Sequence, residues 1–238
     1  MFVNGCYTDI SGFINALNDS QIPYLIIRNY EDMLSSGMFT AGHEDIDILT
    51  TDSRLLASAV GAKAYTDKVK AVCNDGVHYY IIIGEKEVSL DIRSVRDGYY
   101  CTEWQRDMLE RRIMMSNFYV MEQYDYFYSL LYHAVLQKRS FSREYRDKLR
   151  AMSDRLSIML PDDTLYGFVR MLEKYMKKNG YTYTYPTDTF VPLNTKYIDK
   201  ELLQRNISLA YRHWKFDSRV CLIELLVKMK HALLRLIR

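Results

Sequence analysis

Cysteine is scarce in this sequence: Cys6, Cys73, Cys101 and Cys221 are the only four, and no two form a C-x-x-C pair. That spacing excludes a zinc ribbon or a disulfide framework and fits a reducing compartment. Proline is as rare, with four residues, and glycine numbers ten, so no collagenous or Pro/Gly-rich low-complexity tract exists. Long apolar runs are missing too. None reaches the roughly 18 consecutive residues of a membrane span, and no basic segment leads into an apolar one as in a secretory signal. The expectation is a cytoplasmic protein. A strong charge of one sign is also lacking, the net charge being +2. Together with the absence of any recognised binding motif, this speaks against nucleic acid as the partner.

What is present describes a folded chain. Of the 238 residues, 48% are hydrophobic and 26% charged, ordinary values for a domain with a core. A chain of this length buries roughly 70% of its unfolded surface and needs no covalent staple. The near-zero net charge hides an asymmetry. Residues 1–100 hold 8 Lys/Arg against 14 Asp/Glu, and the remainder holds 24 against 16. An acidic half beside a basic half suits a cleft for a cation and an anionic substrate, and equally a solvated surface.

Periodicity divides the chain near residues 98–120. Thr8 or Asp9 is placed to cap a first helix. Tyr24-Leu25-Ile26-Ile27 reads as a buried strand, and Asp45 to Leu49 alternates with the period of two that marks another. A helix starts at Asp52 or Ser53. Val77–Ile83 and Val88–Ile92 read as strands joined as a hairpin through Gly84-Glu85-Lys86-Glu87. Beyond Gly98 helical spacing takes over, at about 122–138, 141–158, 162–178, 198–211 and 217–237. Asn179-Gly180 stops the third of these. The expected fold class is α+β: a mixed sheet with flanking helices over residues 1–98, then a helical bundle over 99–238.

Asp45 and Asp47, one residue apart on a strand, project from one face with α-carbons about 6.7 Å apart. Both can converge on a divalent ion. Magnesium prefers carboxylate and phosphate oxygens, so such a pair with a substrate phosphate makes a site. A third carboxylate on a neighbouring strand extends it, and Asp91 follows Val88-Ser89-Leu90 in the right setting. Arg93 shares the face of Asp91, either as its ion-pair partner or as a contact for phosphate. The bland reading of the aspartate pair is a solvent-facing strand edge or an ion pair with a nearby arginine.

The run His43-Glu44-Asp45-Ile46-Asp47-Ile48-Leu49, with Asp91 on a later strand, resembles the nucleotidyltransferase fold of the polymerase-beta type. Its Glu-Asp-Ile-Asp-Ile variant is similar to phosphotransferases of the LicD and fukutin kind and to nucleotidyltransferase-like proteins of polysaccharide-assembly loci. The likeness covers roughly residues 20–95. It implies that Asp45, Asp47 and Asp91 hold Mg2+ or Mn2+ and that Asp91 aligns or deprotonates an acceptor hydroxyl. It also implies a nucleotide or nucleotide-linked donor and a glycan or other hydroxyl acceptor, in bacterial surface-polysaccharide biosynthesis. One element departs from the pattern. Where members carry Gly-Ser or Gly-Gly after the first strand, this chain has Arg28-Asn29-Tyr30. Arg28 and Asn29, with Arg93, are then the candidates for the donor phosphates, Arg28 by bidentate contact instead of backbone amides. His43, just before the acidic strand, is a further candidate, though a lone loop histidine is more often a simple hydrogen-bonder. Two other classes remain open: a non-catalytic nucleotide- or partner-binding protein, and the toxin of a toxin–antitoxin pair.

Three more features carry a dull and a sharp reading each. Arg143, Arg146 and Arg150 form a basic helical stripe, a solvated face or an anion contact. Twenty-one tyrosines, five-residue stretch 181–185 included, offer stacking surfaces or amphipathic packing. The last helix is apolar around most of its circumference, with Glu224, Lys228, His231, Arg235 and Arg238 in one narrow polar stripe. It is expected in a bundle core, against a partner, or on a membrane through residues 219–238.

Overall fold

Asp9 accepts a hydrogen bond from the Gly12 amide at 3.0 Å, capping helix α1 (Ile10–Asp19), which buries Phe13, Ile14 and Leu17. The same device recurs at Asp52, which accepts from the amides of Arg54 and Leu55 and starts α2 (Ser53–Ala59). The structure, a computed structural model, describes residues 4–30, 45–66, 75–160 and 164–236. His43 and Glu44 lie outside the described residues.

Among the described residues eight short strands form one mixed sheet: β1 (Cys6–Tyr7), β2 (Tyr24–Ile26), β3 (Asp45–Thr50), β4 (Lys63–Ala64), β5 (His78–Ile83), β6 (Lys86–Ser94), β7 (Ile113–Met115) and β8 (Phe118–Val120). Their order is β1-β5-β6-β3-β2-β8-β7, with β4 also paired to β5. β3 and β6 run parallel, whereas β5–β6 and β2–β3 are antiparallel. The central strands bury both faces, so Ile46, Ile48, Leu49, Leu90 and Ile92 are almost fully enclosed. The remaining helices are α3 (Thr102–Glu110), α4 (Gln123–Leu136), α5 (Arg143–Leu156), α6 (Leu165–Asn179) and α7 (Ile207–Leu236). The chain is thus α+β.

Two expectations differ from what is observed. The sheet takes two strands from beyond residue 98, β7 and β8, and β8 pairs with β2 at Val120 and Ile26. Three-residue strands are too short to show a period. Instead of separate helices over 198–211 and 217–237 there is one 3-10 turn (Lys200–Leu202) and then the 30-residue α7. No proline or glycine lies between 207 and 236, so nothing breaks the helix at Asp217-Ser218. Gly180 does end α6, at φ +71°, with its amide bonding back to the last turn.

The tyrosine-rich segment is packing. Tyr181 and Tyr183 are buried, and Tyr181 stacks on Trp104 with ring centroids 5.2 Å apart. Beneath them sits Asp125, 1% exposed. Its carboxylate accepts from Trp104 Nε1 (2.9 Å), Arg111 Nε and Nη2 (3.0 Å each) and Tyr175 Oη (3.1 Å). The basic stripe of α5 is solvated in large part: Arg143 and Arg150 flank Asp147 at 3.6 and 3.8 Å, and Arg146 lies over the Phe141 ring.

A strap over residues 184–192 ties the helical half to the sheet. Thr184 Oγ1 donates to Gly98 O at 2.9 Å and the Thr187 amide to Asp97 O at 2.7 Å. The approach is so close that a Cβ on Gly98, at φ +76°, would lie 2.4 Å from Tyr185 O. α7 hangs on this strap through buried His213, whose Nε2 bonds Pro186 O at 2.7 Å. Further along, Leu222, Ile223, Leu225, Leu226 and Val227 are exposed. This part of the helix is not in a bundle core. No helix among the described residues is long and apolar enough to cross a membrane.

Candidate functional site

The two-residue turn at Gly84-Glu85 sets the β5–β6 register, placing His78 opposite Asp91. On the other side of β6, the parallel β3 places Asp47 opposite the same Asp91. Three polar side chains of adjacent strands therefore share one face at one level. Asp45 and Arg93, two residues along their strands, belong to that face as well.

Buried charge here is paired. Arg28, at the end of β2, donates through Nη2 to Asp47 Oδ2 at 2.7 Å and to Tyr99 Oη at 2.8 Å. The Arg28 and Asp47 side chains are each 9% exposed. Burial works against the Arg28 charge, but the Asp47 carboxylate holds its pKa well above the ordinary guanidinium value. Arg93, 3% exposed, donates through Nη2 to Asp91 at 3.2 Å and through Nη1 to Asp188 at 2.8 Å, and lies over the Tyr99 ring. Arg28 Nη1 and Arg93 Nε are buried without a hydrogen-bond partner among the described residues. Asn29 adopts φ +59°, a left-handed turn that glycine supplies elsewhere and that asparagine tolerates.

His78 joins the cluster from the far side. Its Nδ1 bonds Asp75 Oδ2, and its Nε2 lies 3.6 Å from Asp91 and 3.9 Å from Asp188. Burial disfavours the charged ring, but the Asp75 hydrogen bond and the carboxylates of Asp91 and Asp188 raise its pKa on balance. Asp91 is raised as well, by burial first and then by Asp47 and Asp45, against the opposing pull of Arg93 and His78.

The two arginines and the strand aspartates floor a cavity of about 550 Å3, within the usual range for small-ligand sites. Asp45, Asp47, Asp91, Arg28, Asn29 and Arg93 all line it. The opposite wall comes from α4 and α5 with Lys138 between them, and from Phe190-Val191-Pro192 of the strap. His133 of α4 lines it too. Gln137 gives its Nε2 to Tyr99 O at 2.8 Å, so its Oε1, 3.0 Å away, accepts from His133 Nδ1–H. Burial, then the charges of Arg28 and Lys138, push the His133 pKa well down and keep the ring neutral.

Every described residue singled out from the sequence as catalytic, metal-binding or phosphate-binding thus meets at this cavity. Sequence reasoning missed Tyr99, Lys138, Tyr145 and Lys148, which line it, and His78, Asp75 and Asp188, which join the charge cluster around Asp91 and Arg93 without lining it. The hairpin register would have delivered His78; Asp188 sits in an irregular segment with no local signal.

Three carboxylates lining one cavity, one of them raised by burial and then by its acidic neighbours, have the donor chemistry a hard divalent cation takes. In the arrangement seen, guanidiniums hold Asp47 and Asp91. Among the described residues no group of three His, Cys, Asp or Glu side chains is set to hold a metal ion. A cation at Asp47 therefore competes with Arg28.

Comparison with protein-family models, with curated proteins and with solved structures finds no match for this chain.

Proposed function

We propose that the chain is a magnesium-dependent transferase of the nucleotidyltransferase type. It moves a nucleotidyl or phospho-alcohol group from a nucleotide or nucleotide-linked donor to a hydroxyl of a glycan or similar acceptor, in surface-polysaccharide assembly. The observation that carries this reading is the parallel pairing of Asp47 with Asp91, with Asp45 on the same cavity floor. Asp45, Asp47 and Asp91 are the residues that would hold Mg2+ or Mn2+. Bound there, the ion would offset phosphate charge. Asp91, its carboxyl already raised, accepts the acceptor's hydroxyl proton. Arg28 and Asn29 contact the donor phosphates, and Arg93 holds Asp91 in place.

A non-catalytic binding protein is the second reading, favoured by the Arg28–Asp47 and Arg93–Asp91 ion pairs. Thermal-shift screening of nucleotides and nucleotide-sugars, with and without Mg2+, separates the two. The transferase reading expects a Mg2+-dependent shift with at least one nucleotide, lost in Asp47→Asn. An identical response in wild type and variant sinks it.

The exposed stretch of α7 supports peripheral membrane contact through residues 219–238, where a lipid-linked acceptor would be met. Leu222, Ile223, Leu226 and Val227 are accompanied by Arg219, Lys228 and Lys230, a composition that favours anionic lipid. The full chain is expected to float with phosphatidylserine vesicles and Leu222→Glu/Leu226→Glu to stay behind. Absence of wild-type flotation removes the proposal.

A further inference from the structure

The charges lining the cavity are sorted by wall. On the floor, Arg28 and Arg93 from the sheet pair with Asp47 and Asp91, and Asp45 lines the cavity beside them. Besides the acidic Glu144, the helical wall brings two cations, Lys138 just past the end of α4 and Lys148, over the Tyr126 ring, on α5. Neither comes from the sheet, and neither belongs to the α5 arginine stripe, which faces elsewhere. Glu144 and Tyr145 share the Lys148 face of α5 and line the cavity with it.

A further observation, independent of the lysines, points to an anion here. Arg28, nine-tenths buried, uses Nη2 twice and leaves Nη1 without a partner among the described residues. A buried guanidinium donor without an acceptor is costly unless an anion comes near. His133, between the walls, is kept neutral by burial together with the fields of Arg28, Lys138 and Arg93. Phosphate oxygens suit such a surface, and a diphosphate has the charge and span to meet cations on more than one element. The apolar strap residues Phe190, Val191 and Pro192 leave room for an uncharged moiety beyond it.

We infer that Lys138 and Lys148, above the buried Arg28, form an anion clamp on the helical wall that receives the diphosphate group of the ligand. The inference rests on the transferase reading for the identity of that ligand, and not for the existence of the clamp. It gives the helical half a defined task in place of the missing glycine element: side-chain cations from α5 and the α4–α5 connection, rather than loop amides, hold the phosphates.

Isothermal titration of the full-length chain with inorganic pyrophosphate, in EDTA and again in Mg2+, tests it. Lys138 is exposed and Lys148 half-buried, so Lys138→Met/Lys148→Met is expected to melt and give circular dichroism as wild type does. Its pyrophosphate affinity in EDTA should fall by about tenfold or more, with a shallower dependence on salt. Lys138→Arg/Lys148→Arg should retain binding within a few-fold. Equal affinity in wild type and the Met variant, or no wild-type binding in either buffer, overturns the clamp. Asp47→Asn separates the two readings. If the lysines matter and Mg2+ acts alike on wild type and Asp47→Asn, the clamp stands and the metal reading falls. If Mg2+ acts only on wild type while the lysines are indifferent, the metal reading stands and the clamp falls.

Discussion

Arg28→Met is expected to lower stability by about 3 kcal/mol or more in EDTA, and Mg2+ to recover part of the loss. Arg28 and Asp47 are both nine-tenths buried and joined at 2.7 Å. Removing the guanidinium leaves a carboxylate without its counter-charge in a poorly solvated place, which typically costs about 3–5 kcal/mol. Tyr99 Oη loses its donor as well. For a chain of this size the melting point should drop by very roughly 10 °C. The recovery is the informative part. A cation that binds the folded chain through Asp45, Asp47 and Asp91 stabilises it by mass action, about 2.7 kcal/mol at a hundred times its Kd. Without the competing guanidinium, Asp47 is freer to take it. Urea titrations of wild type and variant, each with EDTA and with saturating Mg2+, give the four free energies. A variant that Mg2+ fails to stabilise argues that the acidic floor exists for arginine and not for metal. Arg28→Met/Asp47→Asn, which removes both charges, should regain much of the stability and lose the Mg2+ response.

Asp125→Asn should cost a similar amount, about 3 kcal/mol, and leave ligand binding intact. Four donor contacts from Trp104, Arg111 and Tyr175 converge on the Asp125 oxygens, and the residue is 1% exposed. Asparagine has one acceptor oxygen and presents an NH2 group to donors that need an acceptor. Bonds to a charged group are worth about 1.5–3 kcal/mol each, and a buried donor left unmet adds its own desolvation cost. Because Arg111 is 42% exposed, its stranded charge can be solvated, which keeps the loss below the sum of the parts. None of these residues lines the cavity. Pyrophosphate affinity measured below the melting transition should therefore match wild type, and a large change in it would mean that the network reaches the site.

The acidic strand was visible in advance because two requirements coincide on it. Period-two alternation is a local property of a strand, and Asp-Ile-Asp-Ile displays it within five residues. The helix caps at Asp9 and Asp52 and the stop at Asn179-Gly180 were visible for the same reason, since each acts within three or four residues. The β5–β6 hairpin was visible too, but its loop is the two residues Gly84-Glu85 and not the four of Gly84 to Glu87, and that shorter turn is what sets His78 opposite Asp91.

Contacts that cross the chain at long range were decided elsewhere. That Asp91 lies level with Asp47 depends on how β6 docks beside β3 after a crossover, which no local pattern encodes. Asp188 reaches Arg93 across 95 residues, through a strap whose sequence carries no period. The basic character of residues 101–238 was plain from composition, yet it did not tell which cations face the cavity. The regular Arg143, Arg146 and Arg150 stripe stays outside it, while Lys138 and Lys148 line it. The exposure of α7 was equally undecided, since an apolar helix reads alike whether it is covered or not. Sequence alone thus determined many of the longer elements, their caps and the acidic strand, all governed by neighbours along the chain. Tertiary structure alone decided which charges meet, because burial and Coulomb energy depend on distance in space.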